Sequence, residues 1–480
     1  MKQHSFLTAL CLLFAAVPIT GQTIKSSMEF APSEHWVKPV EKPYREEICL
    51  NGTWAFAPVQ LPVGFKEGET PAPALPGVNE VTFSKTPIRI PSPWNVNSFA
   101  DKNGLGGDHR TYPSYPKEWE SIKMGWLQKK FTVPASWKGK RIQIHFEAVA
   151  GKADIYVNGK VVGDNFDIFM PFDIDITDAV KFGQENILNV GIQKSSLFDD
   201  RKSPLGRRTY QGGSFWGQHI AGIVNKNTLE VEVTLRNDEN KPVEVNISAA
   251  AYPWISKAGK TVLTAANPSS QLGSQAALQM PTQKVTIPAG KEIKTTLKTT
   301  VDNKLKLWSP SSPNLYGLVV KTSVNGKTND SKYTRFGWRQ TELKDGKFWL
   351  NGKPFVLKGD SWHYMGIPQM TRRYPWAWYT ALRDANCNAV RLHAQPFPSF
   401  YLDVADEMGI LVLDESAMWA SDGGQKLGSE EFWKCSEEHM KQLVLRDRNH
   451  PSVFGWSVSN EIMPIIRGVM RNAPGLEDNL

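Results

Sequence analysis

The chain has 480 residues, about three domains' worth at ~150 residues each, so a small disulfide-stapled module is excluded. With 40% hydrophobic and 22% charged residues it has the apolar material for packed cores and is not a disordered polymer. The net charge of +8 is thin for this length and falls in no block of like sign, which speaks against a nucleic-acid or membrane-surface role.

Lys2 precedes an apolar run over residues 6–19 that is too short to span a bilayer, and Thr20 and Gly21 follow it. Residues 1–22 are therefore expected to be a secretory signal, with the mature protein exported to the periplasm or the extracellular space. Cys11 lies inside the apolar run behind bulky Leu10, so lipid attachment there is rejected. No later stretch has the ~18 consecutive apolar residues of a spanning helix. Cys49, Cys387 and Cys435 remain, an odd and widely spaced set with no disulfide framework and no metal-ligand spacing, expected as three buried thiols. The 17 tryptophans and 12 tyrosines include flat side chains suited to stacking on sugar faces, although most tryptophans belong to cores.

Residues 28–225 consist of short β-type runs separated by turn signals: 125–133 (GWLQKKFTV), 141–146, 153–157 followed by the Asn158-Gly159 turn, and 187–192. Alternation and the Asn-Gly hairpin signal predict an antiparallel sandwich. Residues 226–339 form a second β region, with clean alternation over 228–235 (TLEVEVTL) and looser alternation over 243–249 and 293–299. Its length of roughly one hundred residues suits an immunoglobulin-like sandwich.

After Asn351-Gly352 strands alternate with helical segments. Strands are expected at 356–359, 389–393, 410–413 and 453–458. Helical segments are expected over 376–386, along the face made by Phe400, Val404 and Met408 before the stop at Gly409, and along the face made by Met440, Leu443 and Val444. Mostly apolar strands separated by helices imply a parallel sheet buried on both faces. A complete eight-stranded barrel takes ~250 residues. Residues 345–480 supply 136, so residues 340–480 are expected to form the first half of a TIM barrel.

Side chains at the carboxyl ends of barrel strands face the active site. The four expected strands lead to Trp362-His363, Arg391-Leu392-His393, Asp414-Glu415 and Asn460-Glu461. Polar or ionisable groups at all four ends argue for catalysis. Glu461 follows an apolar strand and adjoins Asn460, which can hold a ligand hydroxyl while a carboxyl transfers a proton; the alternative is an exposed residue at a helix start. Arg391 either orients a carboxylate through a bidentate fork or makes a structural ion pair. His363 and His393 either bind substrate hydroxyls or are satisfied histidines at the barrel mouth. Glu415 either faces the pocket or caps the next segment. No metal and no cofactor are expected, because the ligand set is too loose.

Residues 446–461 (RDRNHPSVFGWSVSNE) resemble the acid/base signature of the family 2 glycoside hydrolases, which include β-galactosidases, β-mannosidases and β-glucuronidases. Residues 348–363 (FWLNGKPFVLKGDSWH), 388–396 (NAVRLHAQP) and 401–415 (YLDVADEMGILVLDE) agree, as do 51–54 (NGTW), 153–159 (ADIYVNG), 171–177 (PFDIDIT) and 307–316 (LWSPSSPNLY). The resemblance covers nearly the whole chain after the signal and implies jelly roll, immunoglobulin-like sandwich and barrel in that order. It implies a retaining exo-β-glycosidase acting on oligosaccharides or polysaccharides, with Glu461 as acid/base and Asn460 on the sugar 2-hydroxyl. It further implies Arg391 as the arginine that holds the nucleophile, and His363, His393 and Glu415 as pocket-lining residues. The family's nucleophile is a glutamate on a later barrel strand. The 19 residues after Glu461 offer only Glu477, in a Pro-Gly-containing polar tail, so this chain is expected to lack the nucleophile and to be inactive alone. Two segments depart from the family pattern: Asp360-Ser361-Trp362 before His363, and residues 214–224 (SFWGQHIAGIV). A carbohydrate-binding protein with a degenerate barrel is the alternative from another class. An adhesin made of sandwiches has no use for Arg391, Asn460 and Glu461 at one mouth.

Overall fold

A computed structural model of the chain describes residues 37–67, 71–95, 115–198, 227–255, 272–364, 369–370, 372–418 and 430–460. The expected signal, residues 214–224 and Glu461 lie outside the described residues.

The first domain grows around the hairpin at Asn158-Gly159, whose φ values of 53° and 81° match the turn that twists with its strands. The strand before it, Lys152–Val157, buries every second side chain, and Ala153, Ile155 and Val157 are wholly inaccessible. It pairs antiparallel with Glu185–Gln193 in the register Ile155↔Val190. The six-stranded sheet runs in the order Ile88–Ile90, Gly52–Val59, Met124–Thr132, Glu185–Gln193, Lys152–Val157, Lys160–Asn165. A separate ribbon of Gln143–Phe146 and Phe172–Asp175 closes the other side of the core, which contains Trp54, Phe56, Trp119 and Ile144. This is the jelly-roll sandwich, with non-sequential neighbours in its main sheet.

The second domain is built on Val243–Trp254, paired over nine positions with Leu315–Val324, which pairs in turn with Lys327–Phe336. The ribbon Thr228–Arg236 with Glu292–Thr300 packs Val231, Leu235 and Leu297 against Val245, Ile247 and Ala249. An immunoglobulin-like sandwich results.

The third region opens with a hairpin, Thr341–Lys344 and Lys347–Leu350, and continues as four parallel strands in chain order: Gly359–His363, Ala389–His393, Leu411–Glu415 and Val453–Ser457. Helix α1 (Arg373–Asp384) follows the first strand and buries Pro375, Tyr379 and Leu382; α2 (Phe400–Met408) follows the second and α3 (Glu430–Asp447) the third. Val390, Leu392, Val412 and Val453 pack outward on Tyr379, Leu402 and Val404, so the alternate residues of these strands face the barrel interior. This strand-helix alternation is the first half of a TIM barrel. Helix α2 ends at Gly409, with φ 72° and ψ 44°, where a side chain would be strained and a Cβ would run into the carbonyl of Pro310.

Two expectations are corrected. The first barrel strand is Gly359–His363, not 356–359, because Val356 and Leu357 project into solvent and parallel pairing begins at Gly359↔Ala389, where the backbones approach too closely for a Cβ. Apolarity misplaced this strand; register decided it, and all five of its residues are exposed. The three thiols are not a buried set: Cys49 is exposed ahead of the first sandwich strand, and Cys387 and Cys435 are half-buried. Cys387 sits in the turn from α1 to the second barrel strand, where Asn386 takes a left-handed conformation.

The immunoglobulin-like domain is tied to the barrel by charge. Arg335 reaches α2 at Asp403 (2.6 Å), Glu407 (2.8 Å) and Asp406 (3.3 Å), and stacks 4.9 Å over Trp254. Buried Asp406 also accepts from His450 Nδ1 (2.7 Å) and the Ser452 backbone N–H (3.0 Å), which fixes the entry to the fourth strand. Asp403, Asp406 and His450 place ligand atoms within 4.8 Å of one another, and the Arg335 guanidinium supplies the positive charge there. Burial pushes the Asp403 carboxyl up, but Arg335, His450 and Arg372 outweigh it and hold it at about 2. Arg335→Ala removes the cation that three carboxylates share, leaving Arg372 to Asp403 and Glu407 and His450 to Asp406, and is expected to lower unfolding free energy by about 3 kcal/mol, measured by urea denaturation. The depressed Asp403 contributes stability that is complete above its unfolded value of about 4 and is lost as pH falls through about 2. The stability gap between the native chain and Asp403→Asn, on the order of 2 kcal/mol at neutral pH, should therefore be flat down to about pH 4 and close below it.

Candidate active site

At the carboxyl ends of the strands, alternation decides which neighbour faces inward. Arg391 and His393 share the inner face of the second strand, and Leu413 and Glu415 that of the third. Asp414 points the other way, toward α3, and is completely buried. Burial and the adjacent Asp447 push the Asp414 carboxyl well above its ordinary value, so it is held neutral. Arg446 forks onto Asp447 at 2.7–3.0 Å, which keeps that side of the helix-sheet seam charge-balanced.

Glu415 is also completely buried, but it keeps a full counterion. Arg391 grips both of its oxygens, Nε at 2.5 Å and Nη2 at 2.9 Å, in a bidentate fork. The same Nη2 donates to the side-chain oxygen of Asn460 at 2.8 Å. One guanidinium thus joins the ends of the second, third and fourth strands. The amide oxygen of Asn460 is spent on Arg391, which leaves its NH₂ as the group that can donate to a ligand oxygen. The backbone of Asn460 is held separately, its N–H donating to the carbonyl of Met418 at 2.7 Å.

His363 ends the first strand level with His393, and the two rings lie 4.2 Å apart at 49°. His363 is exposed and His393 half-buried. The His363 carbonyl accepts from the Gln369 side chain at 3.1 Å, and the Gln369 carbonyl from buried Tyr401 at 2.8 Å. The structure therefore gathers His363, His393, Arg391, Glu415 and Asn460 at one end of the sheet, while Glu461 lies outside the described residues.

Some structural partners escaped the sequence reading. Ser416 bridges the third and fourth strands, its N–H donating to Ser457 (3.0 Å) and its hydroxyl to Val458 (2.5 Å). His439, on α3, contacts the segment that carries Ser416. A histidine within an apolar helical stripe that contains Met440 and Leu443 is the only sequence mark these residues leave.

Family models match in three consecutive pieces: "Glycosyl hydrolases family 2, sugar binding domain" over residues 48–206, "Glycosyl hydrolases family 2" over 218–339, and "Glycosyl hydrolases family 2, TIM barrel domain" over 341–472. Among curated proteins, a beta-galactosidase of Thermoanaerobacter pseudethanolicus is 29% identical over 367 residues, covering 73% of this chain and 46% of the relative. A beta-glucuronidase of Formosa agariphila is 28% identical over 410 residues, covering 80% and 39%. The chain spans less than half the length of either. Among solved structures, a Bacteroides uniformis beta-glucuronidase superimposes with a TM-score of 0.62 at 18% identity, over 90% of this chain and 48% of that one, which is a likeness of fold.

Removing the fork leaves Glu415 buried without its counterion. Arg391→Ala is expected to lower unfolding free energy by about 3 kcal/mol, and adding Glu415→Gln should restore part of the loss because a neutral amide needs no counterion. A double-mutant cycle in urea measures the coupling.

Proposed function

The chain belongs to glycosyl hydrolase family 2, and on that premise we propose that it is the front portion of the machinery of a retaining β-glycosidase acting on terminal sugars of oligosaccharides or polysaccharides. The observation that carries the reading is the Arg391–Glu415–Asn460 assembly, because it presents an oriented amide donor beside the residue proposed as general acid.

Glu461, the residue after Asn460, is proposed to protonate the departing glycosidic oxygen and later to activate water. The free NH₂ of Asn460 would donate to the sugar 2-hydroxyl, a hydrogen bond that strengthens as the anomeric carbon gains oxocarbenium character. A second carboxylate, ~5–5.5 Å from the acid, must attack the anomeric carbon. Glu415 is unsuited to that step, since Arg391 occupies both of its oxygens. The nucleophile is instead proposed to come from a later strand of the full barrel. Arg391 would then act on it by setting the field around Glu415, and His363 and His393 would line the rim nearest the leaving group or the sugar hydroxyls. The relatives' names make β-galactosides and β-glucuronides the first substrates to test. An export leader in residues 1–22 suits an enzyme that meets glycans outside the cytoplasm.

In the complete barrel, Glu461→Gln should lower kcat on glycosides with poor leaving groups by roughly 10²–10⁴-fold, while aryl glycosides with activated leaving groups keep their first step. A panel of nitrophenyl glycosides, compared with the matching disaccharides, measures this. Equal loss on both classes would refute the acid role. Sugar binding without turnover by the unmutated complete barrel would favour the carbohydrate-binding reading instead.

A further inference from the structure

Asp167 lies in the jelly-roll domain, just after the strand Lys160–Asn165, yet its carboxylate meets the barrel. One oxygen accepts from the backbone N–H groups of Phe169 (2.8 Å) and Met170 (3.1 Å). The other lies 2.8 Å from Nδ1 of His439 on α3. Burial pushes Asp167 up, but the hydrogen bond from His439 and the two backbone donors prevail and hold its carboxyl below the ordinary value. Asp167 is thus an acceptor only, and Nδ1 of His439 must carry the proton. Nε2 of the same ring lies 3.4 Å from the backbone N–H of Ala417, so it must be the acceptor. The two contacts together select a single tautomer of the ring. The ring is 2% exposed, and Met170 of the jelly roll packs with Met440 and Leu443 beside it.

What His439 touches matters more than its own chemistry. Ala417 and Met418 are fully buried, and the carbonyl of Met418 is the acceptor that holds the Asn460 backbone at 2.7 Å. Between them and Glu415 stands Ser416, bonded to the fourth strand through both its N–H and its hydroxyl. The order of contact is therefore Asp167, His439, Ala417-Met418, Asn460. It runs from a loop of the first domain to the residue beside Glu461.

We propose that the Asp167–His439 pair is a positioning device for the glycosidase site: the jelly-roll domain, through one histidine tautomer, sets the place of the 416–418 segment and so of Asn460. This rests on the reading of Asn460 given above. Neither residue touches substrate, so both are positioning residues. The geometry differs from that of a merely packed interface, because it depends on which ring nitrogen bears hydrogen.

Asp167→Asn separates the two cases. It preserves shape, but an amide that accepts from the Phe169 and Met170 N–H groups turns its own NH₂ toward Nδ1. The ring must then move its proton to Nε2, where it faces the Ala417 N–H donor against donor, or lose the Asp167 contact. In the complete barrel, amide exchange at residues 416–418 and 460 should accelerate in Asp167→Asn, and kcat/KM on the preferred glycoside should fall roughly ten- to a hundredfold. The matching 2-deoxy glycoside, which gives Asn460 nothing to hold, should fall by less than about twofold, within the scatter of an unperturbed step. Wild-type exchange rates, or equal loss on both substrates, would overturn the proposal. So would nitrogen NMR showing His439 protonated at Nε2 in the unmutated protein. If no glycoside is turned over by the unmutated complete barrel, the catalytic reading falls, while the exchange and NMR measurements still decide whether Asp167 sets the 416–418 segment.

Discussion

A carboxylate with no access to water at the end of a β-strand must find a cation or give up its charge. Glu415 finds Arg391, and the rest of the site is arranged around that pairing. The guanidinium is planar and forked, so satisfying both oxygens of Glu415 fixes its orientation, and the direction of the second N–H on Nη2 then dictates where Asn460 can place its oxygen. Three strand ends are locked by one side chain. Asp414, one residue earlier and on the opposite face, takes the other solution: with Asp447 beside it and no guanidinium of its own, it stays protonated. Adjacent acids on one strand thus meet different partners because the pleat sends them to different environments.

The same logic organises the molecule at larger scale. Arg335 and Asp406 serve at the boundary between the immunoglobulin-like domain and the barrel as Arg391 and Glu415 serve at the mouth. Asp406 links that boundary to His450 and Ser452 at the start of the fourth strand, and Arg339 donates to the carbonyls of Pro451 and Val453 in the same turn. The strand that leads to Asn460 is therefore held at its base by the second domain. Asp167 and His439 hold the far end of the neighbouring strand from the first domain. The two sandwiches are not appendages to the barrel; each grips a different end of the strands that carry the site.

The legible features were those that depend on periodicity. The face of Phe400, Val404 and Met408, its stop at Gly409, the hairpin at Asn158-Gly159 and the alternation in Lys152–Val157 follow from spacing alone and are found where expected. The first barrel strand was misplaced because Val356 and Leu357 are apolar, whereas what selects Gly359 is pairing with Ala389, a non-local fact. The thiols are misjudged for a related reason: cysteine is commonly buried, but Cys49 lies exposed in the segment that leads into the strand Gly52–Val59. Arg391, Glu415 and Asn460 could be nominated from their places at strand ends, and their mutual contact required the fold. His439 could not be nominated, since its partner lies 272 positions away in another domain.

These contacts also change how the run 446–461 should be weighed. Arg446 and Asp447 balance the buried seam beneath Asp414, and His450 answers Asp406. The polar residues of its first half thus hold α3 to the sheet and anchor the fourth strand to α2 and the second domain. Of its last two residues, Asn460 stands at the strand ends beside Arg391, and Glu461 is the one proposed to transfer the proton. A match to the whole run is accordingly strong testimony about architecture and narrower testimony about catalysis. Architecture comes first in the causal order as well: a general acid works only if the strand beneath it does not shift, and the buried ion pairs of the first half resist that shift. Arg446, Asp447 and His450 therefore bear on the site without facing it.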